Sequence, residues 1–547
     1  MSTTADELNR IISGRDYAFN AVIDKGLLVD PDDDIEDLAG YIDNIPSTGL
    51  GDSTGRDVIF IDYDGTEVYS YSVAGAMSLR TLPKNPAHSG LVAQGWNWTL
   101  DQIKYQIENV GGKVIVGQMY TTESGATELD IVLSEERKEP YLRFALNGSA
   151  TIDWGDGSTE TVTGTSPNVP GNHFHAYVSG GAYMIKVLVT SGKAVFRTDS
   201  ESQHVLTMGS DYSDYANRVY SNTLEAVRVG NNTQVGPYGF YKCNYLKTIT
   251  LPINAAQTRD NNWPTWGYDN AFSYCTSLAS ITFPVSENTV LTKNAVTYCR
   301  SLQFASISYG TTSIQGSAFG SCTSLREIAI PYGTEKFHDY VFDSCVTLEE
   351  LIFPNTVTSA GTAVARYCRS IKNLVLSNRV TSINQQSFME CQGLKTITIP
   401  SSCTKMENAS FQSCIALEEV KILNDQMVSP TTGNTFKSCG ALLGFTIPNG
   451  FTDIQPGTFS SCVSIPSFTI PSGVTELSGN SFESCRGVKE YHLLPETPPT
   501  LESSVFPNIS SDCIFYVPYS EDHSILNDYQ TATNWSTYAS RMQEEPQ

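Results

Sequence analysis

The sequence predicts a multidomain chain in which short N-terminal helices, a small α+β domain and a small β-sandwich precede a right-handed solenoid of about 12–13 coils, each with one short parallel strand. Three observations predict it. A chain of 547 residues exceeds the ~250–300 residues over which a single hydrophobic core grows, so it divides into domains. Ahead of the repeat, apolar residues alternate in some stretches and keep helical spacing in others, the mark of short mixed elements. Between residues 243 and 485 a cysteine returns with a near-constant period.

Residues 1–51 read as a helical attachment segment. ELNRIISGRDYAFNAVIDKG and DDDIEDLAGYIDNI place Leu8, Ile11 and Ile12, then Ile35, Leu38, Ala39 and Ile42, at helical spacing. The acidic run Asp32–Asp34 suits a helix N-terminus and a solvated turn, because its ligand spacing is wrong for a calcium loop.

Residues 52–140 read as the small α+β domain. VIFIDYDGTEVYSYSV (Val58–Val73) alternates on both sides of Asp64-Gly65, which signals a hairpin. TLDQIKYQIENVGG offers Thr99 as a helix N-cap, Leu100, Ile103 and Ile107 as an apolar face, and a glycine stop. The phrase IFIDYDGT resembles the first motif of the haloacid-dehalogenase phosphatases, which implies Asp62 as nucleophile and Asp64 as general acid. That chemistry also needs a Ser/Thr, a Lys and further carboxylates on a parallel sheet of crossover helices. The residues after the motif are VYSYS, a returning strand, so the expectation is a hairpin and no enzyme. The phrases DVIFIDYDGTEVYSYSV, LRTLPKNPAHSGLVAQGWNWTLDQIK and VIVGQMY, over residues 57–120, resemble a module recurrent in structural proteins of phages and prophages of gut bacteria.

Residues 141–204 read as the sandwich. TIDWGDGSTETVTG flanks a tight turn at Asp156-Gly157, and a later strand alternates at Tyr183, Ile185, Val187 and Val189. Trp154-Gly155-Asp156-Gly157, His175-x-Tyr177 and Gly181-x-Tyr183 resemble the polycystic-kidney-disease-type domain, which implies an immunoglobulin-like spacer or adhesive unit. Asp153, Asp156 and His175 allow a metal or catalytic reading. The expected role is plainer: local hydrogen bonds that hold the acidic turn in place.

Residues 205–519 carry the repeat. With each cysteine as position zero, the register is Cys243, Cys275, Cys299, Cys322, Cys345, Cys368, Cys391, Cys414, Cys439, Cys462 and Cys485, and seven of the ten steps are 23 residues. Phe stands at minus three in nine coils, an aliphatic at plus three in all eleven, and Pro at plus nine in seven. In SLREIAIP (Ser324–Pro331), Ile328 and Ile330 alternate as a strand with one buried face, and Pro331 ends it. Val380 and Ile383, or Val474 and Leu477, at minus eleven and minus eight supply a second inward wall, where Cys403 also falls. One coil cannot bury this alone, so coils stack on a shared core. Incomplete coils flank the series: LEAVRVG (Leu224–Gly230) with Ser221 at the cysteine site, and Leu501, Phe506, Phe515, Val517 and Pro518 with Ile509 there.

F-x-x-C-x-x-L-x-x-I-x-I-P resembles the BspA-like leucine-rich repeats, found in bacterial surface proteins and in bacteriophage proteins, and CIFYVPYSEDHSILNDYQTATNWSTYASRM, which leads into the C-terminal cap and tail (520–547), resembles their usual ending. The resemblance implies a binding or spacer surface and no chemistry. Stacked cysteines lie about one strand spacing apart, roughly 4.8 Å, within disulfide reach. Their side chains point in parallel into an apolar core, so they read as reduced structural thiols; no C-x-x-C pair suggests a metal.

Composition narrows the function classes. With 58 acidic and 34 basic side chains the formal charge is −24, which repels nucleic acid and anionic membrane surfaces. No stretch is long and apolar enough to insert in a membrane, and MSTTADELNRIISGRDYAF lacks the form of a secretory leader, so synthesis in the cytosol without general secretion is expected. Two coils carry insertions, which map to loops. The first, NAAQTRDNNWPTWGYDN, gathers Trp263, Trp266 and Tyr268 with Asp260, Asn261 and Asn262, a mixture suited to stacking on a sugar ring or anchoring a protein. The second, before Cys439, includes NDQMVSPTTGNT. The resulting expectation is a non-enzymatic phage virion protein without cofactor or metal, such as a tail fibre, baseplate or head decoration. Its N-terminal region is expected to contact other virion proteins and self-associate into a homo-oligomer, and its solenoid to meet a host-surface glycan or protein from the particle surface. A bacterial cell-surface adhesin is the alternative.

Overall fold

In a computed structural model the described residues are 55–198, 203–208, 223–253, 255, 268–285 and 290–546. The helical segment expected at residues 1–51, with Asp32–Asp34, lies outside them, as does Ser221. The first unit is a four-stranded sheet of β1 (Val58–Ile61), β2 (Glu67–Tyr71), β3 (Leu91–Trp96) and β4 (Val114–Thr122), in the order β2-β1-β4-β3. Two helices accompany it, α1 (Val73–Ser78) and α2 (Leu100–Asn109). β1 and β2 form the expected hairpin, with the Thr66 N–H donating to Asp64 Oδ1 and Gly65 at a φ of +89° that its missing Cβ tolerates. α2 starts at Thr99 in a reciprocal capping box with Gln102. Val58, Phe60, Val114 and Val116 on one sheet face pack with Trp96, Trp98, Ile103 and Ile107.

The second unit departs from expectation. β5 (Thr127–Leu133), β6 (Pro140–Asp153), β7 (Thr159–Phe174) and β8 (Gly181–Phe196) pair antiparallel in the order β5-β8-β6-β7. Among the described residues this is one continuous sheet, and the two facing sheets of an immunoglobulin-like sandwich are not formed. The sheet extends into the repeat. β9 (Leu206–Met208) joins β6, β10 (Leu224–Arg228) joins β5, and β11 (Thr233–Val235) runs parallel to the end of β8. A row of glycines explains how three long strands serve two environments. Gly164 stands opposite Gly148, and Gly148 opposite Gly192. A Cβ at any of the three would collide with the neighbouring backbone, and Gly148 and Gly192 take φ of +126° and +74°. Across that row the edge of β8 changes partner from β5 to β11. Alternation along a sequence reports which face a residue takes, not which neighbour its strand meets, so the sequence does not reveal this continuity.

The remainder is a β-solenoid of about 13 turns with short parallel strands. In each regular coil positions plus six and plus eight point inward and positions plus five and plus seven outward, as in Thr396–Ile399, where Ile397 and Ile399 are buried and Thr396 and Thr398 exposed. The phenylalanines at minus three form a stacked column, with centroids 5.5 Å apart for Phe319–Phe342 and Phe388–Phe411 and 5.6 Å for Phe411–Phe436. On the same side each coil places two residues in the left-handed region, at minus five and minus one, for example Tyr340 (φ +61°) and Ser344 (+63°). The N–H groups of Tyr340, Phe342 and Ser344 then all donate to the next coil, at 2.7–2.9 Å.

The cysteines have a definite task in this geometry. Each register thiol from Cys275 to Cys485 donates to the carbonyl of the minus-three residue in the preceding coil, as in Cys275 to Phe240 O at 3.1 Å and Cys414 to Phe388 O at 3.2 Å; Cys403, off the register, donates to Lys405 O. A small apolar residue that can also donate fits the position, which is the reason for a thiol. One apolar cluster runs from Leu129 in β5 to Met542, so the β5–β8 sheet caps the solenoid at one end. At the other end Leu501, Phe506, Phe515 and Val517 are buried in register. α3 (Ser524–Thr531), a 3-10 turn at Trp535–Arg541 and a last strand at Met542–Glu544 close the stack, with Trp535 Nε1 donating to Pro499 O and the Tyr529 hydroxyl to Pro495 O.

Candidate functional site

The outward positions of the solenoid strands divide the molecule's surface. In the coils of Cys275, Cys299 and Cys322 these positions are not solvent-facing: Ser280 and Ser306 are fully buried, Thr282 is 7% exposed and Ala329 is 3% exposed. The N-terminal module lies on them. Ile59, Ile61 and Ile115, on the face of its sheet away from the helices, pack on Ala329 and Phe304. Gly117 lies so close to Thr282 that any Cβ there would collide with it.

Polar side chains of the module read the solenoid backbone in register. Asn97 Nδ2 donates to Phe283 O at 3.1 Å, Trp98 Nε1 to Ile307 O at 2.7 Å, and Gln106 Nε2 to Ile330 O at 2.7 Å. These carbonyls occupy one register position, plus eight, in successive coils. Gln106 also accepts the Tyr332 N–H at 2.7 Å, so its amide brackets Pro331, and Gln94 accepts the Ile253 N–H at 2.8 Å. The proline at plus nine supplies the reason. Where leucine stands there its N–H donates to the plus-eight carbonyl of the preceding coil: Leu423 to Ile399 O and Leu494 to Ile470 O, both at 3.0 Å. Pro331 and Pro354 have no N–H to give Ile307 and Ile330, and the module's Trp98 and Gln106 supply the missing donors.

The cover ends at the coil of Cys345, where the Lys113 N–H meets Glu350 Oε1 at 3.2 Å. From the coil of Cys391 onward polar residues stand open at the outward positions: Thr396, Thr398, Glu419, Lys421, Ser467, Thr469 and Glu490 are exposed. In the first open coils the strand ladder is interrupted, since Asn373–Val375 and Thr396–Ile399 belong to separate two-stranded sheets. A groove of about 340 Å³ opens there, lined by Asn373, Val375, Leu376, Thr398, Pro400 and Leu423 among others. Val375 and Leu423 are 43% and 49% exposed.

A family model for the BspA type leucine-rich repeat region matches six copies over residues 211–263, 268–372 and 362–489, just over half of the chain. The chain belongs to the BspA-type leucine-rich repeat family. Solved structures with similar repeats include a leucine-rich repeat protein from Bacteroides ovatus, 18% identical over 60% of this chain and 96% of that one, with a TM-score of 0.38. A leucine-rich cell surface protein from Faecalibacterium prausnitzii is 18% identical over 63% of this chain and 92% of its own, with a TM-score of 0.27. The pneumococcal vaccine antigen PcpA is 15% identical over 66% and 84%, with a TM-score of 0.31. No curated protein matches the chain.

Within this BspA-type repeat, one residue of the patch expected at the first insertion is described, and it lies in the core. Tyr268 is 6% exposed and packs on Phe272 and Phe283 at centroid distances of 5.7 and 5.4 Å, so it is a core residue and no platform for a sugar. Alternation and loop length could not reveal that the insertion's last aromatic returns to the core. Asp260, Asn261, Asn262, Trp263 and Trp266 lie outside the described residues. All thirteen cysteines are buried with free thiols. Burial pushes the thiols of Cys414 and Cys485 up to about 12 and that of Cys403 to about 11, which keeps them protonated donors.

The two acid-bearing motifs resolve into fasteners. Asp62 accepts the Tyr120 hydroxyl at 2.8 Å and the Tyr63 N–H at 2.8 Å and faces His88 Nε2 at 2.6 Å, tying the strand to the long segment before β3. Burial, then the Asp62 hydrogen bond, raises the Tyr120 phenol. Asp156 Oδ2 and Ser158 Oγ share one nitrogen of His175, Nε2, at 2.8 and 3.3 Å, whereas a catalytic relay needs them on opposite ring nitrogens. His175 stacks on Trp154 at 4.9 Å, so the cluster pins the turn. Partial burial opposes the charge of Asp156, but hydrogen bonds from Ser158 and His175 prevail and hold its carboxyl at about 2. Among the described residues no group of three or more His, Cys, Asp or Glu could hold a metal, and no helix is long and apolar enough to cross a membrane.

Proposed function

We propose that this is a non-catalytic binding protein in which the open strand face, from the coil of Cys368 to that of Cys485, engages a macromolecular surface while the N-terminal module braces the coils before it. One observation carries the reading: the outward plus-seven positions are small and buried under the module, as Thr282, Ser306 and Ala329, and exposed beyond it, as Val375, Thr398, Lys421 and Thr469. A repeat has no internal need for that change, so the exposed part is the part kept free for a partner. The saturated Asp62 and the competing contacts on His175 support a role without catalysis. We place the chain on a virion surface appendage, on the resemblance of residues 57–120 to phage structural modules, with N-terminal attachment to the particle and self-association; a bacterial cell-surface adhesin fits the repeat family equally. Mass spectrometry of purified virions against uninfected cell surfaces separates the two carriers.

The binding test uses the full chain, fluorescently labelled, on candidate host cells. Thr398→Lys with Lys421→Glu is expected to abolish cell binding without changing the melting temperature. Undiminished binding by that variant would remove the open face from the mechanism.

A further inference from the structure

The strands of the coils end at plus seven or plus eight, and a proline at plus nine of the following coil has no N–H to give the plus-eight carbonyl that Leu423 and Leu494 serve elsewhere. Under the module such carbonyls are filled by an indole and a side-chain amide. The open coils repeat the arrangement with nothing from the module to fill it. Leu376, Ile422 and Ile447 stand at plus eight, and Pro400, Pro448 and Pro471 at plus nine of the following coils. At Leu376 the features coincide: the following coil has Pro400 at plus nine, the ladder between Asn373–Val375 and Thr396–Ile399 is interrupted, and the groove flanked by exposed Val375 and Leu423 opens there. This groove also continues the established interface. It begins one coil beyond Glu350, the last residue held by the module, and Asn373 Nδ2 donates to that same carboxylate at 2.7 Å.

Resting on the open-face reading above, we propose that the groove at Leu374–Pro400 is a docking site for a polypeptide partner. The partner presents a glutamine, asparagine or tryptophan donor to the Leu376 carbonyl and an adjacent apolar side chain to Val375 and Leu423. The module's own contact specifies this chemistry. Trp98 and Gln106 meet plus-eight carbonyls opposite prolines, while the apolar residues Ile59, Ile61 and Ile115 beside them cover the neighbouring strand positions. Gln106 shows that one amide can serve a carbonyl and an N–H on either side of a proline.

The proposal is tested by selecting a displayed random-peptide library on the full chain, with oligomers of N-acetylglucosamine as a parallel probe. Two variants separate the possibilities. Val375→Lys closes the groove with a long charged side chain. Pro400→Ala restores an N–H at plus nine, which by the precedent of Leu423 and Leu494 occupies the Leu376 carbonyl and leaves the melting temperature unchanged or higher. The expected result is a set of peptides rich in Gln, Asn or Trp next to an apolar residue, whose binding is lost in Val375→Lys and whose affinity falls about tenfold in Pro400→Ala, the effect of one lost hydrogen bond. Peptide binding lost in Val375→Lys but intact in Pro400→Ala overturns carbonyl recognition and leaves the open face standing. Groove-dependent binding of the sugar oligomers alone overturns the polypeptide assignment. Binding of neither probe that responds to Val375→Lys overturns both the groove and, for these probes, the open-face reading.

Discussion

The coils of Cys275 to Cys322 and those of Cys391 to Cys485 share one backbone plan and one ladder of thiol donors, yet their strand faces differ. At plus seven the first group carries Thr282, Ser306 and Ala329, all buried; the second carries Thr398, Lys421 and Thr469, all exposed. Inward positions do not change between the two regions. The difference shows that a solenoid's core and its outer face are set independently: stacking fixes the core, while the partner lying on the strands chooses the outward side chains. Small residues at plus seven allow a sheet to settle at the distance that Gly117 and Thr282 impose, and a charged residue at that position would prevent it.

The sharpest way to break the comparison is to put one substitution at the same register position in both regions. Thr282→Lys buries an unpaired ammonium beneath β4 and is expected to cost ~3–5 kcal/mol and release the module. Hydrogen exchange should then rise over Ile281–Ile330 and over β4 while the open coils keep their protection. Gln106→Ala leaves the Ile330 carbonyl and Tyr332 N–H without their amide, at ~1–3 kcal/mol, with faster exchange confined to those coils. Cys414→Ala removes a buried sulfur and its bond to Phe388 O and is expected to cost ~1–2 kcal/mol in denaturant titration. Asp156→Asn probes a region apart from both. The folded carboxyl titrates at about 2 against an ordinary 3.8, so its contribution is full above about pH 4 and disappears as pH falls through about 2. After allowance for solvent screening it is worth about 1 kcal/mol at pH 7, and the wild-type and variant melting curves should converge at acid pH. Thr398→Lys, the open counterpart of Thr282→Lys, is expected to change stability by under ~0.5 kcal/mol. Equal effects at the two threonines would mean that the module does not cover the first group in solution.

Much of this was legible locally. The Asp64-Gly65 hairpin, the Thr99 cap, the thiol register and the minus-eleven and minus-eight wall with Cys403 each depend on neighbours in sequence or on a repeated period, and the structure has them. The β-sandwich and the exposed role of Tyr268 were misread for one reason. Both were inferred from composition within a segment, whereas Gly148, Gly164 and Gly192 act by meeting one another across strands, and Tyr268 acts by meeting Phe272 and Phe283. Asp62 shows the same limit, since the His88 and Tyr120 that occupy it lie 26 and 58 residues away.

By itself the sequence determined the coil: its period, its inward residues and the proline that ends its strand, because these arise from backbone geometry and hydrophobic burial repeated at a constant interval. Only the tertiary structure decided which coils are covered. Asn97, Trp98 and Gln106 read carbonyls 186 to 224 residues distant, and the plus-eight carbonyl has no side chain through which a sequence could announce it. A backbone acceptor left open by a proline becomes visible only when the next coil is stacked against it.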